Sequence, residues 1–116
     1  MDDQRQPSLY LGLISGTSAD GIDAVLARFA PRLEVLAAQT FAYPGDLRER
    51  VLALARNRAE VTLDDFGSLD VEIGTRFAAA ASTLLQDAGV DPSDVEAIGS
   101  HGQTVCHRPD APFPFT

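Results

Sequence analysis

Cysteine is almost missing from this sequence: Cys106 is the only one among 116 residues. A single cysteine excludes an intrachain disulfide, and therefore a disulfide-rich secreted scaffold or a zinc site built from several thiolates. A reducing compartment is the simpler interpretation, and Cys106 is then a small apolar side chain. With 45% apolar and 22% charged residues, the composition is that of an ordinary globular protein of one domain.

Basic residues are scarce as well, with 9 Lys+Arg against 17 Asp+Glu and a formal net charge of −8. Such a field repels phosphate backbones and anionic headgroups, so we expect neither nucleic acid nor a membrane surface as a partner. Long apolar runs are missing too, because the run Leu9–Ile14 is too short to span a bilayer. The N-terminus lacks the charged-then-apolar order of a signal peptide. We expect a cytoplasmic protein.

Apolar runs separated by turn residues predict an antiparallel meander at the start of the chain. Residues 9–14 are a short apolar run, Ile22–Phe29 is extended and nearly all apolar, and Leu33–Tyr43 is a third extended segment. The dipeptide Asp20-Gly21 between the first two segments is typical of a hairpin turn. We therefore expect the first two strands to be paired.

Two helices are predicted next from their start and stop signals. Asp46 followed by Glu49 resembles a capping box, and a helix of about three turns follows it. Thr62 with Asp65 three residues later marks a second helix, which Gly89 would end as its C′ residue.

The second helix contains two glycines, Gly67 and Gly74, which each cost roughly 1 kcal/mol relative to alanine. We interpret them as signs of close packing or of a break near Gly67. A short strand at Val95–Ser100 follows the helix, and the proline-rich tail Arg108–Thr116 is expected to be a loop.

The segment Ser15–Gly21 is the first candidate for a binding site. Its two glycines allow backbone N–H groups to point into a shared concavity that holds phosphate oxygens. The hydroxyls of Thr17 and Ser18 add donors, and the Asp20 carboxylate is a candidate ligand for Mg²⁺. The alternative is a plain hairpin turn. Spacing alone favours the turn, because the segment matches neither the P-loop nor the dinucleotide fingerprint.

A second polar cluster follows the last predicted strand, at Ser100–Thr104. The imidazole of His101, the amide of Gln103 and the hydroxyl of Thr104 are groups that can recognise the hydroxyls of a sugar. The alternative is a structural, hydrogen-bonded histidine, which is the more frequent role at a strand end.

Two stretches of the sequence, Gly12–Val25 and Ile98–Val105, closely resemble the signature stretches of the anhydro-N-acetylmuramic acid kinases, in the same order and at a similar separation. The resemblance implies an α/β fold of the sugar kinase/Hsp70/actin kind, built on a ribonuclease H-like lobe. Residues 1–116 would be the N-terminal part of the first lobe, incomplete, with the second lobe of the kinase absent.

The resemblance also implies which residues bind. The ATP phosphates would lie on Gly16, Thr17, Ser18, Ala19, Asp20, Gly21, Ile22 and Asp23. The sugar would lie on His101, Gly102, Gln103 and Thr104. Mg²⁺ would accompany ATP, with Asp20 as its candidate ligand. The wider superfamily has an aspartate where Ile14 stands here, and this family commonly has leucine where Ala19 stands.

The implied activity is an ATP-dependent kinase that hydrolyses the 1,6-anhydro ring of anhydro-N-acetylmuramic acid and phosphorylates O6. The product is N-acetylmuramic acid 6-phosphate, in recycling of the bacterial cell wall. An aspartate in a motif resembling Gly-Asp-Phe-Arg would activate water, and we expect that motif beyond Thr116. We therefore expect residues 1–116 alone to be inactive, and the full-length enzyme is a candidate homodimer. The alternatives are a non-catalytic binding domain with the same fold, or a superfamily kinase for another sugar.

Overall fold

A computed structural model of the chain describes residues 7–56, 60–110 and 112–116. The elements are β1 (Leu9–Ser15), β2 (Gly21–Arg28), β3 (Glu34–Ala42), α1 (Gly45–Arg56), α2 (Leu63–Ala88) and β4 (Val95–Gln103). A short 3-10 turn, Pro92–Asp94, leads into β4. Neither described helix is long and apolar enough to cross a membrane.

The strands form a single mixed sheet with the order β3-β2-β1-β4. β1 pairs antiparallel with β2, and β2 pairs antiparallel with β3, which confirms the predicted meander. β4 joins the free side of β1 in the parallel direction, after the chain has passed through both helices. The predicted fold class is therefore confirmed: a three-stranded antiparallel meander, then helices, then a further strand.

The core lies between one face of the sheet and the two helices. Leu11 and Leu13 of β1 point to this face, as their spacing of two residues requires. Leu47 of α1 and Leu84 of α2 are fully buried against the same cluster. Removing these large apolar side chains from water is the main force that holds the helices on the sheet.

The opposite face of the sheet is exposed among the described residues. Ile14 is 44% exposed and Phe29 is 62% exposed, although both are large apolar residues. Tyr10 packs its ring against Phe29 with a centroid distance of 5.6 Å. A shallow apolar groove runs along this face beside Gly12 and Gly99, which are register partners on β1 and β4.

The turn between β1 and β2 differs from the prediction. The backbone N–H of Ala19 donates to the carbonyl of Gly16 over 3.1 Å, so the turn is Gly16–Ala19 and not the Asp-Gly dipeptide. Gly21 already belongs to β2 and pairs with Ala42 of β3. A Cβ at Gly21 would lie 2.4 Å from the carbonyl oxygen of Phe41. This glycine is therefore needed for close strand pairing.

The helix boundaries confirm one predicted cap and correct another. Thr62 is the N-cap of α2 and forms a complete capping box with Asp65, while Gly89 follows the helix with φ of 67°. α1 begins at Gly45, so Asp46 lies inside its first turn, and the prediction of Asp46 as the N-cap is wrong.

The interpretation of the helix glycines is wrong as well. α2 is continuous from Leu63 to Ala88 through both Gly67 and Gly74. Within the described residues, no atom lies within 4 Å of the position that a Cβ would take at either glycine. Both positions are exposed, so neither close packing nor a break explains a glycine there.

The capping box makes the stability of the chain sensitive to acid. The hydrogen bond from the backbone N–H of Thr62, and to a smaller extent the one from its hydroxyl, stabilises the charged form of the Asp65 carboxylate. Both hold the pKa of Asp65 below its usual value of 3.8. A lowered pKa in the folded state gives stability that is present above pH 3.8 and is lost as the pH falls through the folded pKa. We expect Thr62→Ala to lower the free energy of unfolding by about 1 kcal/mol at neutral pH.

The pH dependence is checked by urea unfolding of Asp65→Asn and of Asp64→Asn, which removes the same charge from the same helical turn. Asp65→Asn should destabilise the chain at neutral pH, and this difference from the wild type should shrink as the pH falls below 3.8. An equal effect of both substitutions at every pH would show that the capping box does not set the acid sensitivity.

The tail is a closed loop. Arg108 and Phe115 exchange two backbone hydrogen bonds, of 2.8 and 3.1 Å. The Arg108 guanidinium lies 5.8 Å from the ring centroid of Phe113 and 6.0 Å from that of Phe115, within the range of cation–π attraction.

Candidate functional site

The two polar motifs of the sequence meet at one edge of the sheet. β1 and β4 run parallel and are neighbours, so their carboxyl ends lie side by side. Residues 16–20 follow β1, and we call them the β1–β2 loop. The stretch that follows Gly99 forms the end of β4 beside this loop. The carboxyl edge of adjacent strands is where open α/β sheets bind ligands.

An irregularity in β4 aligns the two motifs. Leu13 pairs with Ser100, but Ser15 pairs with Gln103, so β4 contains one residue more than β1 over this interval. Gly102 supplies the extra residue and has a positive φ of 77°, which glycine adopts without steric cost. The bulge places Gln103 opposite Ser15.

Gln103 connects the end of β4 to the β1–β2 loop. The buried hydroxyl of Ser15 donates to Gln103 Oε1 over 2.6 Å. Gln103 Nε2 donates to the carbonyl of Gly16 over 2.9 Å and to the carbonyl of Thr104 over 3.0 Å. One amide group therefore joins the two motifs directly.

Ala19 anchors the β1–β2 loop in the core. Its side chain is fully buried, yet its φ is 53°, a left-handed conformation that is uncommon for a residue other than glycine. Thr17 and Ser18 are exposed at the tip of the loop. The loop is thus held at both ends and offers its backbone and two hydroxyls to solvent.

Asp20 forms an ion pair with a residue of α1. Its Oδ1 accepts a hydrogen bond from Arg48 Nε over 3.1 Å, and this ion pair is exposed. Its backbone carbonyl accepts from the N–H of Tyr43 over 3.1 Å. Arg48 is a basic residue beside the loop that sequence reasoning missed, since no local pattern relates it to Asp20.

Asp23 lies on the sheet itself. Its Oδ1 accepts a hydrogen bond from Thr40 Oγ1 of the neighbouring strand over 2.6 Å. Both residues are exposed on the face opposite the helices. Ile22, between Gly21 and Asp23, is buried in the core, so it can contribute only its backbone to a ligand.

The hydroxyl of Tyr43 is buried beside the Ser15 side chain. Among the described residues it has no hydrogen-bond partner of ordinary geometry. Burial raises the pKa of the Tyr43 hydroxyl above 10.0, and the nearby Ser15 side chain offsets part of this shift. The hydroxyl is therefore neutral near pH 7. The sequence contained no signal for this residue.

The predicted sugar-binding residues divide between two surfaces. His101 lines a shallow groove on the face opposite the helices, together with Asp23. Gly102 and Gln103 instead line a cavity of about 240 Å³ on the helical side, which includes Asp70 of α2. Thr104 is half-buried next to them. The structure brings Gln103 to the β1–β2 loop, leaves Gly102 in the neighbouring cavity and leaves His101 on the other face.

The described residues do not by themselves fit a metal site. Among them, no group of three or more His, Cys, Asp or Glu side chains is arranged to hold an ion. The Asp20 carboxylate is paired with the Arg48 guanidinium, whose positive charge offsets its own. A divalent ion here would need most of its ligands from elsewhere.

Comparisons with known proteins give one consistent result. The family model for anhydro-N-acetylmuramic acid kinase matches residues 8–116. Curated proteins named anhydro-N-acetylmuramic acid kinase include one from Xanthomonas oryzae pv. oryzae (strain MAFF 311018), which is 52% identical over 112 residues, that is 93% of this chain and 30% of the relative.

A second such protein, from Xanthomonas axonopodis pv. citri (strain 306), is also 52% identical over 112 residues, again 93% of this chain and 30% of the relative. A third, from Xylella fastidiosa (strain Temecula1 / ATCC 700964), is 46% identical over 122 residues, covering 99% of this chain and 32% of the relative. The chain thus spans about 30% of the length of these relatives.

Proposed function

The chain belongs to the anhydro-N-acetylmuramic acid kinase family, and from this premise we propose that it is the phosphate-binding part of an ATP-dependent sugar kinase. The observation that carries the proposal is the hydrogen bond between Ser15 and Gln103. It joins, at one sheet edge, the two stretches by which the sequence resembles the family.

In the proposed reaction, the full-length protein hydrolyses the 1,6-anhydro ring of anhydro-N-acetylmuramic acid and transfers the γ-phosphate of ATP to O6. The product, N-acetylmuramic acid 6-phosphate, returns cell-wall sugar to metabolism. We propose that the general-base aspartate belongs to a Gly-Asp-Phe-Arg-like motif of the longer protein. Water activation and phosphate transfer need both groups to be held in position.

We propose that residues 16–23 hold the ATP phosphates. The exposed hydroxyls of Thr17 and Ser18, together with the backbone of the β1–β2 loop, can donate hydrogen bonds to phosphate oxygens. The fixed position of the loop supports this role, because a preformed site loses less conformational entropy on binding. Arg48 offsets the negative charge of Asp20 beside the loop, which lessens the repulsion of phosphate in a chain of net charge −8.

We propose that Mg²⁺ accompanies ATP, with its ligands coming mainly from the phosphates, since the Asp20 carboxylate is shared with Arg48. When bound, the ion would neutralise part of the charge of the triphosphate. Asp20 remains the candidate residue for this contact.

For the sugar, we propose that the end of β4 contributes Gly102 and Thr104 to the surroundings of the substrate, with Gln103 beside them. His101 lies on the opposite face and would reach the same substrate only around the edge of the sheet. Gly102 would act through its backbone, which its positive φ allows to turn towards the loop. We further propose a cytoplasmic enzyme that can form a homodimer, in which these residues are the first part of one of two lobes.

The role of the β1–β2 loop is tested by Gly16→Ala in the full-length protein. Within the described residues no atom lies within 4 Å of the added Cβ, and Gly16 does not have a positive φ, so folding should be unaffected. The methyl group would instead occupy the space into which a phosphate must come. We expect the KM for ATP to rise about tenfold or more, equivalent to about 1.4 kcal/mol of binding free energy.

The matched control is Gly67→Ala, which also adds a methyl group in open space, but on α2 and away from the cavity beside Gly102 and Gln103. Steady-state kinetics with ATP and anhydro-N-acetylmuramic acid measures both variants. A wild-type protein that forms no 6-phosphorylated sugar would contradict the proposed reaction. A Gly16→Ala enzyme with an unchanged KM for ATP would instead remove the loop from the nucleotide site.

A further inference from the structure

The side chain of Gln103 makes its hydrogen bonds within the chain, which indicates a role other than contact with the sugar. We propose that it is a positioning residue that holds the β1–β2 loop in its ligand-binding shape, an inference that rests on the function proposed above. Its amide contacts Ser15, Gly16 and Thr104, all through hydrogen bonds of 2.6 to 3.0 Å.

The amide of Gln103 has little capacity left for a ligand. A primary amide offers two N–H donors and one oxygen with two lone pairs. Nε2 donates to the carbonyls of Gly16 and Thr104, and Oε1 accepts from the Ser15 hydroxyl, so a single lone pair is left. The reversed amide would place Oε1 against two carbonyl oxygens. The neighbours therefore determine the orientation of the side chain.

The bonds of Gln103 act on the turn that forms the loop. The carbonyl of Gly16 accepts both from Gln103 Nε2 and from the backbone N–H of Ala19, which closes the turn. The buried Ser15 hydroxyl immediately precedes this turn. Loss of the amide would remove the acceptor of the buried Ser15 hydroxyl and leave the Tyr43 hydroxyl as its polar neighbour. It would also release one of the two hydrogen bonds on the Gly16 carbonyl.

The bulge in β4 supports the same assignment. If the regular pairing of Leu13 with Ser100 continued, Gly102 would lie opposite Ser15, and Gln103 would be one residue further along with its side chain on the other face of the sheet. Gln103 is 88 positions away from Ser15 in the sequence, and the bulge at Gly102, whose positive φ favours glycine, places it against the loop.

The first test uses hydrogen exchange in this chain and needs no activity. In Gln103→Ala we expect the hydrogen-bonded amides of the loop, above all the N–H of Ala19 that donates to the Gly16 carbonyl, to exchange about tenfold faster, because the loop opens more often. The control is Gln86→Ala, the same substitution at an exposed position of α2, which should leave these amides unchanged. Wild-type exchange of the loop amides in Gln103→Ala would overturn the proposal.

The second test separates positioning from sugar binding in the full-length enzyme. We expect Gln103→Ala to raise the KM for ATP about tenfold, while the KM for the sugar stays within about twofold. Ser15→Ala removes the hydroxyl that donates to Gln103 and should also raise the KM for ATP. A raised KM for the sugar with an unchanged KM for ATP would make Gln103 a sugar ligand and overturn the proposal.

Gln103→Glu adds a pH profile that a merely structural role would not produce. The carboxylate keeps an acceptor for Ser15 but loses both donors, and it places a negative charge beneath the loop. Protonation returns one donor, so the KM for ATP of this variant should improve as the pH falls towards the pKa of glutamate. A pH profile parallel to that of the wild type would count against the proposal.

The outcomes for the two proposals are distinguishable. If the wild-type enzyme transfers no phosphate to the sugar, the proposed function fails, and the exchange test still decides whether Gln103 orders the loop. If Gln103→Ala does not fold, the exchange rates of Ser15→Ala decide the question instead.

Discussion

Gly21→Ala is expected to destabilise the chain by about 1 to 3 kcal/mol or more, because the added methyl group has no room. Its Cβ would lie 2.4 Å from the carbonyl oxygen of Phe41 and 2.9 Å from the Cα of Ala42. Both atoms belong to the backbone of β3, so a rotamer change cannot relieve the contact. β2 and β3 would have to move apart at this end of the sheet.

Urea unfolding of Gly21→Ala and Gly12→Ala measures this effect. Gly12 also lies in a strand, but no atom of the described residues is within 4 Å of the position of its Cβ. We expect Gly12→Ala to change the free energy of unfolding much less than Gly21→Ala. Similar values for both variants would mean that strand glycines matter here through backbone entropy and not through the close approach of β3.

The second large effect is expected for Leu11→Ala, at about 2 to 5 kcal/mol. Leu11 is 1% exposed and lies on β1, between two neighbouring strands and beneath the helices. The substitution removes buried apolar surface and leaves a cavity that neighbouring strands cannot easily fill.

The matched control on the same strand is Ile14→Ala, whose side chain points to the exposed face and is 44% exposed. In this chain we expect a loss well below that of Leu11→Ala, because much of the side chain is already in water. Chemical denaturation of both variants gives the comparison. An equal loss for the two substitutions would show that the exposed face is covered in solution.

Local patterns in the sequence were sufficient to predict those elements that depend only on residues close together along the chain. The meander follows from apolar runs separated by short turns, and each of its strands is confirmed. The cap at Thr62 follows from the spacing of its partner Asp65, and it is confirmed with both hydrogen bonds in place. Interactions of this kind involve only a few residues, so a short window contains all the information.

The same patterns failed where distant residues decide the structure. Asp20-Gly21 has the chemistry of a hairpin turn, but the backbone of Phe41 explains the glycine and the turn lies at Gly16–Ala19. The left-handed conformation of Ala19 has no sequence signal, because burial of its side chain in the core stabilises it.

The candidate site shows the same division between local and distant information. The two motifs were recognisable, but their joining through Gln103 depends on the parallel pairing of β4 with β1. Arg48 reaches Asp20 from α1, 28 positions along the chain. Neither contact follows from the spacing of residues within a motif.

The parallel pairing of β1 and β4 also has a consequence for the order of folding. The meander can form as soon as β3 has left the ribosome. The pairing of β1 with β4 forms later, since 88 positions separate Ser15 from Gln103. Closing so long a chain segment is slow compared with forming a hairpin or a helix. During synthesis at roughly 5 to 20 residues per second, we expect one edge of β1 to stay unpaired for several seconds, and the β1–β2 loop to become ordered last.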